Sequence, residues 1–552
     1  MIYIVFTLLL FVVFFLVFRF GMITRREKAI AKVKAGWARL KDAHYDFDEI
    51  EIYSQMDVSV PFHELSEQTQ LDIDFKELFK IVDRTTSKVG QQFLFNRMKK
   101  PGKDITELKT LSERADFFRD HPSIREEIQE LLVELDDNRS YYIATLLNNK
   151  LLERPKWFSW LIFNTITVVT MLLLSPWYPV LLAWMMIPFA LNMGLHFWNK
   201  NNTYRFIRSL PQLNKLLKVA AKLVAKEIPF DHTKTKASLD NLKTFQRKMH
   251  LLSFGQQGVV GEMSQVFYYF LEMVKAVFLI ELHTFYSIIK ELENKQQAIQ
   301  HLFSYVGLID TSISVASLRA GVWPTCEPEW IGASKKMDIV KVYHPLIEDC
   351  VTNDLVIDNK SILITGSNMS GKTTFLRTVA LNSVLAQTIH TCFAEKFSVP
   401  VLKLASSIRI DDSISEGKSY YLAEVDIMGK LIYEVKEGQQ YLFILDEVFK
   451  GTNTVERVAA GKAILSYLNR FNNIVLVSTH DMELSGMLSD EYDLYHFVET
   501  IHDNQLFFDH LLKQGELKTR NAIRILEMAD YPQAIITEAK EISKQIIILK
   551  NK

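Results

Sequence analysis

Residues 362–365, Ile-Leu-Ile-Thr, run directly into Gly366-Ser367-Asn368-Met369-Ser370-Gly371-Lys372-Thr373, the G-x-x-x-x-G-K-[ST] spacing. No other stretch constrains the fold as strongly. An apolar strand must deliver the chain to a loop whose glycines let backbone N–H groups wrap phosphate oxygens. A helix beginning near Thr374 must then point its positive end at the same charge. In that arrangement Lys372 neutralises the terminal phosphates of a nucleotide, and the Thr373 hydroxyl holds Mg²⁺.

Two further strands are expected beside the first. Residues 441–445, Tyr-Leu-Phe-Ile-Leu, end in Asp446-Glu447, and residues 474–478, Ile-Val-Leu-Val-Ser, end in Thr479-His480-Asp481. Asp446 would ligate Mg²⁺, Glu447 would orient and deprotonate a water, and His480 would hydrogen-bond a γ-phosphate. Chemistry carried at the C-terminal ends of parallel strands is the mark of an α/β nucleotide fold.

The rest of the chain is too long for one core. With 552 residues, 48% of them hydrophobic, it should divide into several domains. Lys+Arg of 64 against Asp+Glu of 65 leaves a net charge of -1, so overall charge names no partner. Cys326, Cys350 and Cys392 form no CxxC pair and read as reduced structural thiols.

Residues 2–18 form an apolar run close to the ~20 residues that cross a bilayer as a helix. Arg19, Arg25, Arg26 and Lys28 follow it, which places the subsequent chain in the cytoplasm. A second apolar region, 157–198, is divided by Ser175-Pro176-Trp177-Tyr178-Pro179 and is expected to form a transmembrane hairpin with basic residues at both ends. The sequence thus predicts three spans, lipid contact through them, and a location integral to the cytoplasmic (inner) membrane.

Around the nucleotide motifs the residues resemble the MutS family. The loop is similar to TGPNMGGKS, with Ser367 and Ser370 at the usual Pro and Gly. Residues 409–425, which include Asp411-Asp412, Gly417, Ser419 and Glu424, resemble the family's DD-x-x-x-G-x-S-x-F-x-x-E loop. Gly451-Thr452-Asn453-Thr454 resembles GTST, residues 478–484 resemble the ATH-x-x-EL strand, and Asp509-His510 resembles part of the terminal segment. The resemblance implies an ATPase that uses ATP and Mg²⁺ and opens and closes a homodimer. Ser419 would then reach the partner's γ-phosphate in a composite site, and His510 would pack on the adenine. Nucleotide-binding residues would be Gly366, Ser367, Asn368, Met369, Ser370, Gly371, Lys372, Thr373, Thr374 and His510, with Thr373 and Asp446 on the metal.

Asp83, Thr85, Ser87 and Gly90 resemble the family's D-x-T-x-T-x-x-G lead-in to a helical core, and residues 307–316 resemble the helix that ends it. Phe62-His63-Glu64 spells the Phe-x-Glu of mismatch readers but lies outside any such domain, and coincidence is the better reading. Lys215, Lys218, Lys222 and Lys226 share a helical face that would suit either phosphates or solvent.

The expected fold is an α/β P-loop NTPase domain of the ABC/MutS type following an all-α core, with three transmembrane helices. The divisions read from the chain are an anchor at 1–22, a basic juxtamembrane segment at 23–60 and a first helical part at 61–155. The hairpin at 156–199, a helical lever at 200–322 and the ATPase at 323–552 follow. Double-stranded DNA, bound without mismatch preference, is the partner the resemblance favours. An ABC-type membrane ATPase acting on another cargo, or a nucleotide-stabilised membrane scaffold, are the alternatives.

Overall fold

A computed structural model describes residues 24–550 apart from 25–26, 148–157, 251–272, 275, 281, 284–290, 368, 410–419, 450–452, 503–504, 518–521 and 530. The chain forms two compact units. One comprises residues 1–60, 82–97 and 110–322, the other 61–81, 98–109 and 323–552.

The first unit is helical among its described residues, and its helix Gln296–Arg319 is buried along most of its length. The D-x-T-x-S-x-x-G run is explained by what it touches. Asp83 accepts from Thr85 N at 3.0 Å and pairs with Lys41 at 3.1 Å. Burial alone would raise this carboxyl, but Lys41 and hydrogen bonds from Thr85 and Gln91 outweigh it and hold the group below its ordinary range. Ser87 caps the helix Lys88–Lys99, its Oγ accepting from Gly90 N at 2.9 Å. The buried Asp310 carboxylate in turn accepts from Thr86 N at 2.8 Å, Ser87 N at 2.7 Å and Ser87 Oγ at 2.6 Å. Burial pushes Asp310 up to about 6 despite those donors.

The expected transmembrane hairpin is corrected. Among the described residues no helix is long and apolar enough to cross a membrane. The helix Phe158–Leu174 has 17 residues, which at 1.5 Å per residue gives roughly 25 Å against a hydrocarbon core of about 30 Å. The second half breaks into a five-residue helix, Val180–Trp184, and the helix Met186–Val224, whose apolar part stops at Lys200. Each half instead meets a segment outside the hairpin, with Thr165 2.9 Å from a ring nitrogen of His283 and Asn192 donating to Val277 O at 2.6 Å. The expected three transmembrane helices, and the integral inner-membrane location read from them, are therefore not supported by the described residues. The apolar run 2–18 lies outside the described residues.

The second unit carries the sheets. Six strands follow the order β12-β9-β4-β8-β7-β6. They are β4 (Ser361–Thr365), β6 (Lys403–Ser407), β7 (Tyr441–Asp446), β8 (Ile474–Ser478), β9 (Tyr492–His496) and β12 (Lys513–Gln514). All pairings are parallel except that of β12 with β9. β4 and β8 are buried at every position, which is why they read as unbroken apolar runs rather than alternating ones. Leu363, Phe443, Leu445, Val475 and Val477 pack with Leu465, Leu468 and Leu484 into one core cluster. A second sheet, β1-β5-β2-β3, consists of β1 (Glu329–Trp330), β2 (Lys336–Val342), β3 (Asn353–Asp358) and β5 (Lys396–Val399). β10 (Glu499–His502) and β11 (Gln505–Phe508) form an antiparallel pair.

The outer edge of β6 is covered by residues 61–74. A ring nitrogen of His63 lies 2.8 Å from Leu404 O. At the end of the strand and just past it, Asp72 accepts from Ser406 Oγ at 2.7 Å, Ile408 N at 3.0 Å and Arg409 N at 2.8 Å. An edge strand left open exposes unpaired backbone groups, and these side chains satisfy them.

Candidate nucleotide site

Parallel register decides where the site lies. Ile364 of β4 is level with Ser478 of β8, and Ser478 is level with Asp446 of β7. The three strand ends therefore release their polar residues side by side. Gly366 leaves β4 with φ +150°, and a Cβ there would meet Phe497 O at 2.9 Å. Gly371, at φ +114°, begins the helix Lys372–Ile389 in the left-handed region that only glycine enters freely. Met369 is 83% exposed, and Thr374 lines the cleft.

Lys372 is buried, and its Nζ donates to the carbonyls of Gly366 and Ser367 at 2.8 Å each. Thr373 Oγ1 donates to Asp446 Oδ2 at 2.6 Å, while Ser478 Oγ donates to the other carboxylate oxygen. Glu447 sits at φ +55°, with its N–H on Ser478 O at 3.0 Å and Oε1 2.6 Å from His480 Nε2. A left-handed backbone at a non-glycine residue costs energy and is held only where its neighbours fix it. Arg457 anchors the next residue, Asp481, with contacts of 2.8 and 2.7 Å.

His510 Nδ1 lies 3.1 Å from Ser370 O and must carry the proton to donate to it. The ring stacks on Phe508 at 5.9 Å. The cleft beside the loop has a volume of about 410 Å³, with Val342, Ile347, Cys350, Phe497 and His510 on its walls. Its polar floor is built by Lys372, Thr373 and Glu447. Burial, with Arg377 nearby, lowers the neighbouring His344 to about 4, so that ring is neutral.

The fold thus brings together Gly366, Ser367, Met369, Ser370, Gly371, Lys372, Thr373, Thr374, Asp446, Glu447, His480 and His510. It gives His480 a carboxylate partner, Glu447, that the motif did not announce. Asn368 and Ser419 lie outside the described residues. Two side chains were missed. Ser478 reads in the sequence only as a strand end, although parallel order sets it level with Asp446. Glu499, buried on β10, accepts from Ser367 Oγ at 2.6 Å, and no spacing in the sequence points to it.

Thr373 and the Asp446 carboxylate are hard oxygen donors of the kind Mg²⁺ selects. Lys372 with the glycine-led helix start is the donor set a triphosphate selects.

Comparison with known proteins agrees with this geometry. Residues 362–547 match the family model of MutS domain V. The chain is 31% identical over 264 residues to the DNA mismatch repair protein MutS of Pseudothermotoga lettingae, covering 46% of this chain and 32% of that protein. It is 28% identical over 278 residues to that of Natronomonas pharaonis, covering 48% and 31%. For the Staphylococcus aureus protein of the same name the figures are 27% over 276 residues, 48% and 31%. The chain spans about a third of the length of the curated relatives it matches, and its residues 362–547 are similar to MutS domain V.

Proposed function

We propose that this chain is a MutS-like ATP hydrolase that works as a homodimer with composite sites. The observation that carries the reading is the contact chain Thr373–Asp446–Ser478 and Glu447–His480 on adjacent strand ends. Lys372, the loop N–H groups and the helix start bind the phosphates of ATP. Thr373 and Asp446 hold Mg²⁺, which when bound offsets phosphate charge and polarises the terminal P–O bond. Glu447 takes a proton from the attacking water, and His480 Nε2 orients Glu447 by donating to its Oε1. His510, on the wall of the cleft, packs against the base of the nucleotide.

Replacing Glu447 by Gln tests the role directly. The variant is expected to bind ATP and to lose turnover by a factor on the order of 10² or more, as for a lost general base. Lys372→Ala should lose binding instead. Unchanged steady-state turnover in Glu447→Gln sinks the assignment.

The relatives are named as DNA mismatch repair proteins, which supports DNA as the partner; that this chain takes a duplex without preference for mismatches is our own reading. Phe62 does not stand free to wedge a base step, because its ring has the Lys103 and Lys403 ammonium groups at 5.8 and 5.4 Å. The basic helical face is largely neutralised, with Lys215 at 3.7 Å from Asp137, Lys222 at 2.8 Å from Glu134 and Lys226 at 2.5 Å from Glu127. Binding to matched and mismatched duplexes should therefore be equal, weak and steeply salt-dependent. A preference of about tenfold for the mismatch, ~1.4 kcal/mol, in equilibrium titrations would overturn that expectation.

A further inference from the structure

Behind the phosphate loop lies a charge cluster that the hydrolysis reading leaves unused. Arg377 is one helical turn beyond Thr373 and so lies on the same face of the helix. Its guanidinium Nη1 donates to Asp74 Oδ2 at 2.9 Å. Asp74 also holds Arg409, at 2.7 Å from Nη1 and 3.1 Å from Nη2. The Asp74 backbone is fixed on both sides, with its N–H on Leu71 O at 3.2 Å and its carbonyl accepting from Leu78 N at 2.9 Å. Its φ is +50°, a conformation that aspartate tolerates better than most side chains. Only 15% of the Arg377 side chain and 27% of the Asp74 side chain are exposed, so the pair is poorly screened.

The fields acting on Arg377 are opposed. Burial disfavours its charge most and Arg409 repels it, while Asp74, Asp72 and Asp446 attract it. Asp446 is the carboxylate already bonded to Thr373 and Ser478. Without the Asp74 charge, Arg409 would push Arg377 away and Asp446 would be among the remaining carboxylates to draw it. A guanidinium at Asp446 competes with a divalent cation for the same oxygens.

We propose that Asp74 is a positioning residue for the Mg²⁺ site, holding Arg377 away from Asp446 so that the carboxylate stays available to the metal. The inference rests on the ATP-hydrolysis reading above. It also gives residues 61–74, remote in sequence, a part in the nucleotide site beyond covering β6.

The test is a MgCl₂ titration of the full chain at fixed mant-ATP, reading bound nucleotide by equilibrium fluorescence, with ATP turnover measured in parallel. Asp74→Asn should raise the half-saturating Mg²⁺ concentration about tenfold, ~1.4 kcal/mol of competition. Adding Arg377→Gln to that variant should restore the requirement to within about threefold of the wild type, because the competitor is gone. A generally loosened fold would not be repaired by a second substitution. Asp74→Gly keeps the left-handed backbone, removes the carboxylate, and carries the same expectation if the Asn variant does not fold. A wild-type Mg²⁺ requirement in the Asp74 variant, or a double variant no better than the single, overturns the proposal. Absence of turnover in the wild type would instead defeat the hydrolysis reading, and the binding titration would still decide the role of Asp74.

Discussion

At the scale of single residues, the positions that matter most are those where atoms leave no room. Gly90 sits against the Asp310 carboxylate, and a Cβ there would lie 2.2 Å from Oδ2. The carboxylate cannot withdraw without abandoning the N–H groups of Thr86 and Ser87 at the start of the helix. Gly90→Ala should therefore destabilise the protein by about 3 kcal/mol, at the upper end of ordinary overpacking. Gly194→Ala is the control, since nothing lies within 4 Å of the added methyl, and in a helix interior it should be neutral or stabilise by up to ~1 kcal/mol. Urea melts of the two variants decide the matter, and equal midpoints would mean that the Asp310 contact is not what holds the helix start. The glycine was legible in the sequence as part of a motif. Its reason was not, because Asp310 lies 220 positions away (310 minus 90).

At the scale of elements, the strands of the six-stranded sheet explain what could be read in advance and what could not. β4, β7 and β8 are central and buried, so their sequences are short continuous apolar runs that end in polar residues. Their order and register set Thr373 against Asp446 and His480 against Glu447 at neighbouring strand ends. β6 is an edge strand, and its cover comes from a distant segment. Nothing in the spacing of Phe62, His63, Asp72 and Asp74 announces a strand edge, because each contact is a single side chain meeting backbone or a charge. The apolar hairpin failed for the opposite reason. Hydropathy counts residues in a window, whereas crossing a bilayer requires one unbroken helix of sufficient length, and the structure breaks the second half at Trp184.

At the scale of the whole molecule, a composite site makes a prediction about pairs of chains. Ser419 lies outside the described residues, but its likeness to the loop that reaches a partner's γ-phosphate gives the experiment. Ser419→Ala and Lys372→Ala protomers should each be inactive alone, and mixing them should restore one complete site per heterodimer, about a quarter of the wild-type activity when half the dimers are mixed. A mixture with no recovered turnover counts against sharing across the dimer. What the sequence by itself determined is the local form of the loop and strand ends. Gly366, Gly371, Lys372, Thr373 and Asp446 take their places from local backbone geometry and from where strands end, and both are written in contiguous residues. Only the tertiary structure decided that His480 meets Glu447, that Glu499 holds Ser367, and that Asp74 stands between Arg377 and Arg409. Those contacts join residues separated by tens to hundreds of positions, and which side chains meet across such distances is set by the packing of the sheet and its cover.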